Sequence, residues 1–154
     1  MPILIWPTVP IGWIQPCVTL TRVNGSCLCG TVRWSALQPP RPVFECHCVR
    51  CQKTTGNHMA ATAFETDAVD IDGASLRWYS PDDDPNVAYG FCAICGSSLF
   101  FRCGVADGTN ASTSVCAGSI DGRSGLSTSE VWFADSAADH VRLDPGITTF
   151  SGQP

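Results

Sequence analysis

Seven of the ten cysteines fall into three tight groups: Cys27-x-Cys29, Cys46-His47-Cys48-Val49-Arg50-Cys51 and Cys92-Ala93-Ile94-Cys95. Thiolates at such spacing are ligands for a soft, tetrahedral ion such as zinc, with metal–sulfur bonds of about 2.3 Å. In an extended segment residues i and i+2 point the same way, so Cys27 and Cys29 present both sulfurs on one face. Two residues between Cys92 and Cys95 let the chain turn around an ion, and Gly96 can take the left-handed backbone that closes such a knuckle. Two plus two ligands make a closed, structural four-thiolate site, which leaves Cys46, Cys48 and Cys51 as a three-thiolate site with a free position. Loop closure equally permits Cys27 and Cys29 to join two thiols of the middle group, so spacing alone leaves the partition open. Thiolate sets of this kind accept iron as well as zinc.

Several neighbours bear on that chemistry. His47 sits between two ligands that share a face, and a residue so placed points away from them. Lys53 is the only lysine in the chain and follows Cys51 by two residues. Its ammonium can receive an anionic group of a substrate or bias a bound thiol toward thiolate, although lysines are mostly solvent-exposed. Cys103 and Cys116 lie in strand-like runs and read as small core residues, and Cys17 as an ordinary thiol. The run Asp82-Asp83-Asp84-Pro85 lacks the alternating oxygens and glycine of a calcium loop and reads as an exposed hairpin turn.

The elements that must position these groups are short strands cut by turns. Alternating or β-branched runs occur at Val18–Val23, around Val32 and Trp34, and at Met59–Phe64, Leu76–Tyr79, Asn86–Phe91, Ser98–Cys103, Ser112–Ala117 and Glu130–Phe133, each bounded by Gly, Asp, Pro or Ser. Helix is expected only over Arg50–Thr55 and Ile120–Gly125, a turn or two each. Leu37–Pro42, with three prolines, is a connection. Residues 1–17 carry four prolines and read as an irregular arm, followed by one mainly β domain over residues 18–154.

Composition narrows the function classes. A chain of 154 residues with 44% hydrophobic and 15% charged residues fits one domain with its own core. A net charge of −5 and eight scattered arginines provide no basic stripe for nucleic acid or an anionic membrane. The apolar start is broken by prolines and has no basic residue before Arg22, so it reads poorly as a secretory signal and is too interrupted to span a bilayer. The expectation is a cytoplasmic protein whose clustered thiols meet a reducing environment and hold metal rather than disulfides.

Four segments carry a family resemblance: Gly25-Ser-Cys-Leu-Cys-Gly30, Cys46-His-Cys-Val-Arg-Cys-Gln-Lys-Thr-Thr-Gly56, Phe91-Cys-Ala-Ile-Cys-Gly-Ser-Ser-Leu-Phe100 and Ala117-Gly-Ser-Ile-Asp121. In this order they resemble the glutathione-dependent formaldehyde-activating enzyme family (GFA, or CENP-V-like) from about Val23 to Phe150. The resemblance implies an Mss-four-like fold of several small coiled antiparallel sheets pinned by zinc, with two zinc ions per chain. It implies a structural ion on Cys27, Cys29, Cys92 and Cys95 and a catalytic one on Cys46, Cys48 and Cys51. It also implies a carbon–sulfur lyase that joins glutathione to formaldehyde as S-hydroxymethylglutathione. The chain departs from the family at Ala88-Tyr-Gly90, where many members place a basic residue, and at Glu130-Val-Trp-Phe133, in place of a His-Ile-Phe-like strand. A non-catalytic, zinc-stabilised binding module of the same fold is the alternative; a fourth protein ligand on the middle group would favour it. The zinc deaminases are a poor match, because the His-x-Glu element is missing.

Overall fold

The computed structural model describes residues 22–37 and 40–154; the arm at 1–17, Cys17 and the start of the Val18–Val23 run lie outside them. The described chain is mainly β. A three-stranded antiparallel sheet contains β1 (Val23–Ser26), β2 (Arg33–Ala36) and β5 (Val69–Asp72), in the order β1-β2-β5. The larger sheet has eight strands: β3 (Val43–Cys46), β4 (Met59–Glu65), β6 (Leu76–Tyr79), β7 (Val87–Cys92), β8 (Ser98–Cys103), β9 (Ser112–Cys116), β10 (Thr128–Trp132) and β11 (Thr148–Phe150). Their order is β11-β10-β3-β4-β9-β8-β7-β6. Pairing is antiparallel except around β10, which runs parallel to both β3 and β11. One short helix, α1 (Val49–Thr55), follows β3.

Two apolar clusters fill the fold. In the first, Val32, Trp34, Phe64, Leu99, Phe100 and Val115 from both sheets pack together, each at most 3% exposed. Burial at this level is worth roughly 1.5–3 kcal/mol for a large apolar side chain. The 3-10 turn at 117–119 packs closely on β1 at Gly25: a Cβ there would lie 2.3 Å from the ring of its cross-strand partner Trp34 and 2.4 Å from the Ser119 carbonyl oxygen, and only glycine leaves that room. The second cluster joins Phe44, Met59, Ala61 and Tyr89 with Cys46 and Cys51, flanked by Phe101, Trp132 and Phe133.

Two expectations need correction. Ile120–Gly125 is not helical. Ile120 bridges to Gly25, and Gly122 and Gly125 take positive φ, which ends any helical run. A 3-10 turn sits earlier, at Ala117–Ser119. Cys103 is exposed rather than in the core, because it ends β8 just beyond the buried Leu99 and Phe100. Cys116 is half-buried, and burial pushes its thiol up to about 12. Asp82–Pro85 does form the β6–β7 hairpin turn, and its carboxylates have a use: Asp83 and Asp84 accept from Arg50 at 3.0 and 2.6 Å.

Candidate metal centres and the adjoining cavity

The two knuckles are built alike. After β1, Gly30 donates its N–H to the Cys27 carbonyl at 3.0 Å; after β7, Gly96 donates to the Cys92 carbonyl at 2.8 Å. Both glycines have φ of 75°, the conformation that folds the second cysteine back beside the first. The Leu28 N–H donates to Ser97 Oγ at 3.1 Å, tying one knuckle to the other across 69 positions of sequence. The result brings the sulfurs of Cys27, Cys29, Cys92 and Cys95 within 4.8 Å of one another.

This group fits a tetrahedral ion. Bonds of about 2.3 Å place sulfurs about 3.8 Å apart, and the Cys27–Cys29 and Cys29–Cys92 separations are 3.5 and 3.8 Å. Polar groups already favour thiolate there. Burial raises the Cys27 thiol, but the Val32 N–H at 3.3 Å and contacts with Cys29, Thr31 and Cys92 outweigh it and bring it down to about 7. The hydroxyl and N–H of Ser97 lower Cys95 to about 5.

The middle group collects at the junction of β3 and α1. Cys46 ends β3, Cys48 is the N-cap of α1 and accepts the Cys51 N–H at 3.4 Å, and Cys51 lies in the first turn. Their sulfurs also lie within 4.8 Å, with Cys46 and Cys51 buried and Cys48 half-buried. Hydrogen bonds from Cys46 and Cys51, with the Cys51 and Arg50 N–H groups, hold Cys48 far below an ordinary thiol. Sharing with Cys48 pushes Cys46 up to about 11, and Cys51 rises through its contacts with Cys46 first and then Cys48. Within the trio Cys48 is the thiol most favoured as thiolate, and a cation would draw off the protons of all three. Among the described residues no fourth protein ligand joins this group.

The three thiols open into a cavity of about 340 Å³. Phe44, Tyr89, Phe101 and Trp132 form its apolar wall. Phe44 and Trp132 stack with ring centroids 4.0 Å apart, on the parallel β3–β10 pair. Arg41 covers both rings at 5.2 and 5.4 Å and donates to Glu130 at 3.0 Å, while Glu130 also accepts from Trp132 Nε1 at 2.8 Å. Burial first, then the charge of Cys51 and Cys48, raises the Tyr89 phenol, so it stays protonated. Arg41 and Arg50 both line the cavity, and each is already paired with carboxylate.

Of the residues singled out in the sequence, the seven thiols assemble into the two expected groups. Lys53 does not join them: it is exposed in the last turn of α1 and does not line the cavity. His47 faces away from the Cys46–Cys48–Cys51 sulfurs and lies with Glu45 and His58. Sequence reasoning missed the wall residues Phe44 and Trp132 and the cation Arg41. Phe44 sits in a strand hidden behind the proline-rich connection, and the pairing that brings Trp132 to it spans most of the chain.

The model of the glutathione-dependent formaldehyde-activating enzyme family matches residues 22–136. A Halomonas elongata protein described as "Putative glutathione-dependent formaldehyde-activating enzyme" is 32% identical over 85 residues, which cover 51% of this chain. The match spans 54% of that relative, about half its length. A crystal structure of a Rhodobacter sphaeroides protein shares the fold, with a TM-score of 0.54 and 19% identity over 68% of this chain and 97% of the other. Among the described residues no helix is long and apolar enough to cross a membrane.

Proposed function

Since the chain belongs to the glutathione-dependent formaldehyde-activating enzyme family, we propose that it is a zinc enzyme of the carbon–sulfur lyase class. In this reading it makes or breaks the bond between a small thiol, such as glutathione, and an aldehyde carbon, such as that of formaldehyde. One observation carries the reading: the three-thiol group opens into a cavity with an aromatic wall and two arginines at its lining, whereas the four-thiol group has a full set of protein ligands. Cys27, Cys29, Cys92 and Cys95 would hold one structural zinc, and Cys46, Cys48 and Cys51 a second. Zinc at the second site supplies acidity to a substrate thiol, as metals do for a coordinated sulfur.

The chain's own residues do the rest. The Phe44, Tyr89, Phe101 and Trp132 wall keeps water from competing with the thiol for the aldehyde. As the thiolate sulfur adds to the carbonyl carbon, the carbon–sulfur bond forms, the π pair moves to oxygen, and that oxygen takes up a proton. The proton that oxygen takes is the one the thiol gives up on becoming thiolate, passed by way of solvent, and Tyr89, kept as the phenol in the wall, donates a hydrogen bond to the oxygen without losing its own proton. Arg41 and Arg50 offer guanidiniums to a substrate carboxylate, in exchange with Glu130, Asp83 and Asp84. The free thiols of the described residues suit a reducing compartment such as the cytoplasm.

The test is cobalt substitution with a thiol titration, alongside an assay of small thiols with formaldehyde. Added thiol should change the sulfur-to-cobalt charge-transfer bands in wild type but not in Cys48→Ala, and turnover should vanish in that variant. A cobalt spectrum indifferent to every thiol would refute the enzyme reading and favour a binding module.

A further inference from the structure

Behind the thiol trio, on the other face of the same strand end, lies a group of different chemistry. The β3–β4 register pairs Cys46 with Met59, so its continuation brings His47 opposite His58, while Glu45 shares the His47 face two residues earlier. Glu45, His47 and His58 each place a donor atom within 4.8 Å of the others. Glu45 Oε2 is 3.7 Å from His47 Nε2 and 3.9 Å from His58 Nε2. The two rings lie 4.7 Å apart.

These spacings suit neither hydrogen bonds nor a bridging water. A direct N–H···O bond needs about 2.7–3.2 Å, and a water accepting and donating at about 2.8 Å spans roughly 4.6 Å. A cation bonded to both atoms at about 2.0–2.2 Å sets them roughly 3.4 Å apart, a few tenths from what is seen. His47 Nε2, the nitrogen that faces Glu45, sits on a side chain only 1% exposed and has no hydrogen-bond partner. Buried imidazole nitrogens without partners are rare unless a ligand completes them.

The surroundings orient the donors. Thr128 Oγ1 on β10 donates to Glu45 Oε1 at 3.2 Å, which leaves Oε2 directed at the histidines. The His47 N–H donates to the Trp132 carbonyl at 2.9 Å, Gln52 Nε2 donates to the His47 carbonyl at 2.6 Å, and Thr55 Oγ1 donates to the His58 carbonyl at 3.1 Å. The Thr128 contact fixes the aim of the carboxylate, and the other three, all on backbone groups, hold the chain segments that carry the two histidines. Glu45 and His58 are about one-quarter exposed, so an ion has a way in from solvent.

We propose that Glu45, His47 and His58 form a further metal site, separate from both thiolate groups, that binds a divalent first-row transition ion. Two imidazoles and one carboxylate select zinc, cobalt or nickel over the hard cations magnesium and calcium, and three protein ligands leave a position for water or an exchangeable ligand. The site does not depend on the lyase reading.

The test is cobalt titration of the zinc-free full chain, followed by protein-bound metal analysis. Wild type should take up a further equivalent beyond the thiolate-bound ones, with d–d absorption and no added sulfur charge transfer. His58→Ala and Glu45→Gln change partly exposed side chains and should fold. Each should lose only that equivalent, or bind it at least tenfold more weakly, while keeping the wild-type charge-transfer intensity. Uptake that ends with the thiolate sites in wild type, or an unchanged further equivalent in both variants, overturns the proposal.

Discussion

Severing the four-thiol group should cost far more stability than opening the three-thiol group, and the reason is chain topology. Cys29 and Cys92 are 63 positions apart, whereas Cys46 and Cys51 lie five apart on one continuous β3–α1 junction. In the chain-entropy description, a link closing a loop of that longer size is worth about 4 kcal/mol, and one closing five residues about 2 kcal/mol. The perturbation is Cys92→Ser with Cys95→Ser, which removes one whole knuckle, compared with Cys48→Ala, which leaves Cys46 and Cys51 in place. Against a domain stability of about 5–15 kcal/mol, the first loss is a large share. At about 2–4 °C per kcal/mol for a chain of this size, the double variant should melt at least about 4–8 °C below Cys48→Ala. Losing the metal's own binding energy widens the gap. The assay is thermal unfolding followed by circular dichroism in zinc-containing buffer, repeated with chelator. In chelator the wild type should fall toward the double variant. If Cys48→Ala melts as low as the double variant, or the double variant melts like wild type, the assignment of structural weight to the two knuckles is wrong.

Gly25→Ala should destabilise by about 3 kcal/mol or more, the upper end for overpacking, because its Cβ meets a backbone oxygen and the Trp34 ring, neither of which can easily withdraw; urea unfolding with wild-type stability would show that the Ser119 turn and the Trp34 ring can give way there. Arg41→Met should weaken binding of a carboxylate-bearing thiol by roughly tenfold or more, the scale of a hydrogen bond to a charged group, while Lys53→Met leaves it within about twofold by the same scale. Calorimetric titration with glutathione checks both, and the opposite order would restore Lys53 as the carboxylate receiver.

What was legible in the sequence was local. The Cys92-Ala-Ile-Cys95-Gly96 knuckle depends on a turn and a glycine within five residues, and its geometry follows from them. The strands at Met59, Leu76, Ser98 and Ser112 showed themselves through alternation and the turn residues between them. Three strands did not: β3 is four residues long and adjoins the prolines, β5 (Val-Asp-Ile-Asp) is equally short, and β11 is a three-residue parallel edge. Segments this short are strands only because a neighbour supplies their hydrogen bonds.

The tertiary structure decided which groups meet. Spacing allowed Cys27 and Cys29 to join either of two partners, and the contact between knuckles, through Leu28 and Ser97, brings them to Cys92 and Cys95. The cavity exists because β10 pairs parallel with β3 and stacks Trp132 on Phe44, some 88 positions away. His47 and His58 face each other through the β3–β4 register, and a slip of one residue would turn one of them away. Residue type and near spacing are properties of the chain, so the thiol chemistry could be read from it directly. Register and long-range pairing depend on how the whole chain buries its apolar surface, and they determine the cavity walls, the burial of His47 and the meeting of Glu45 with both histidines.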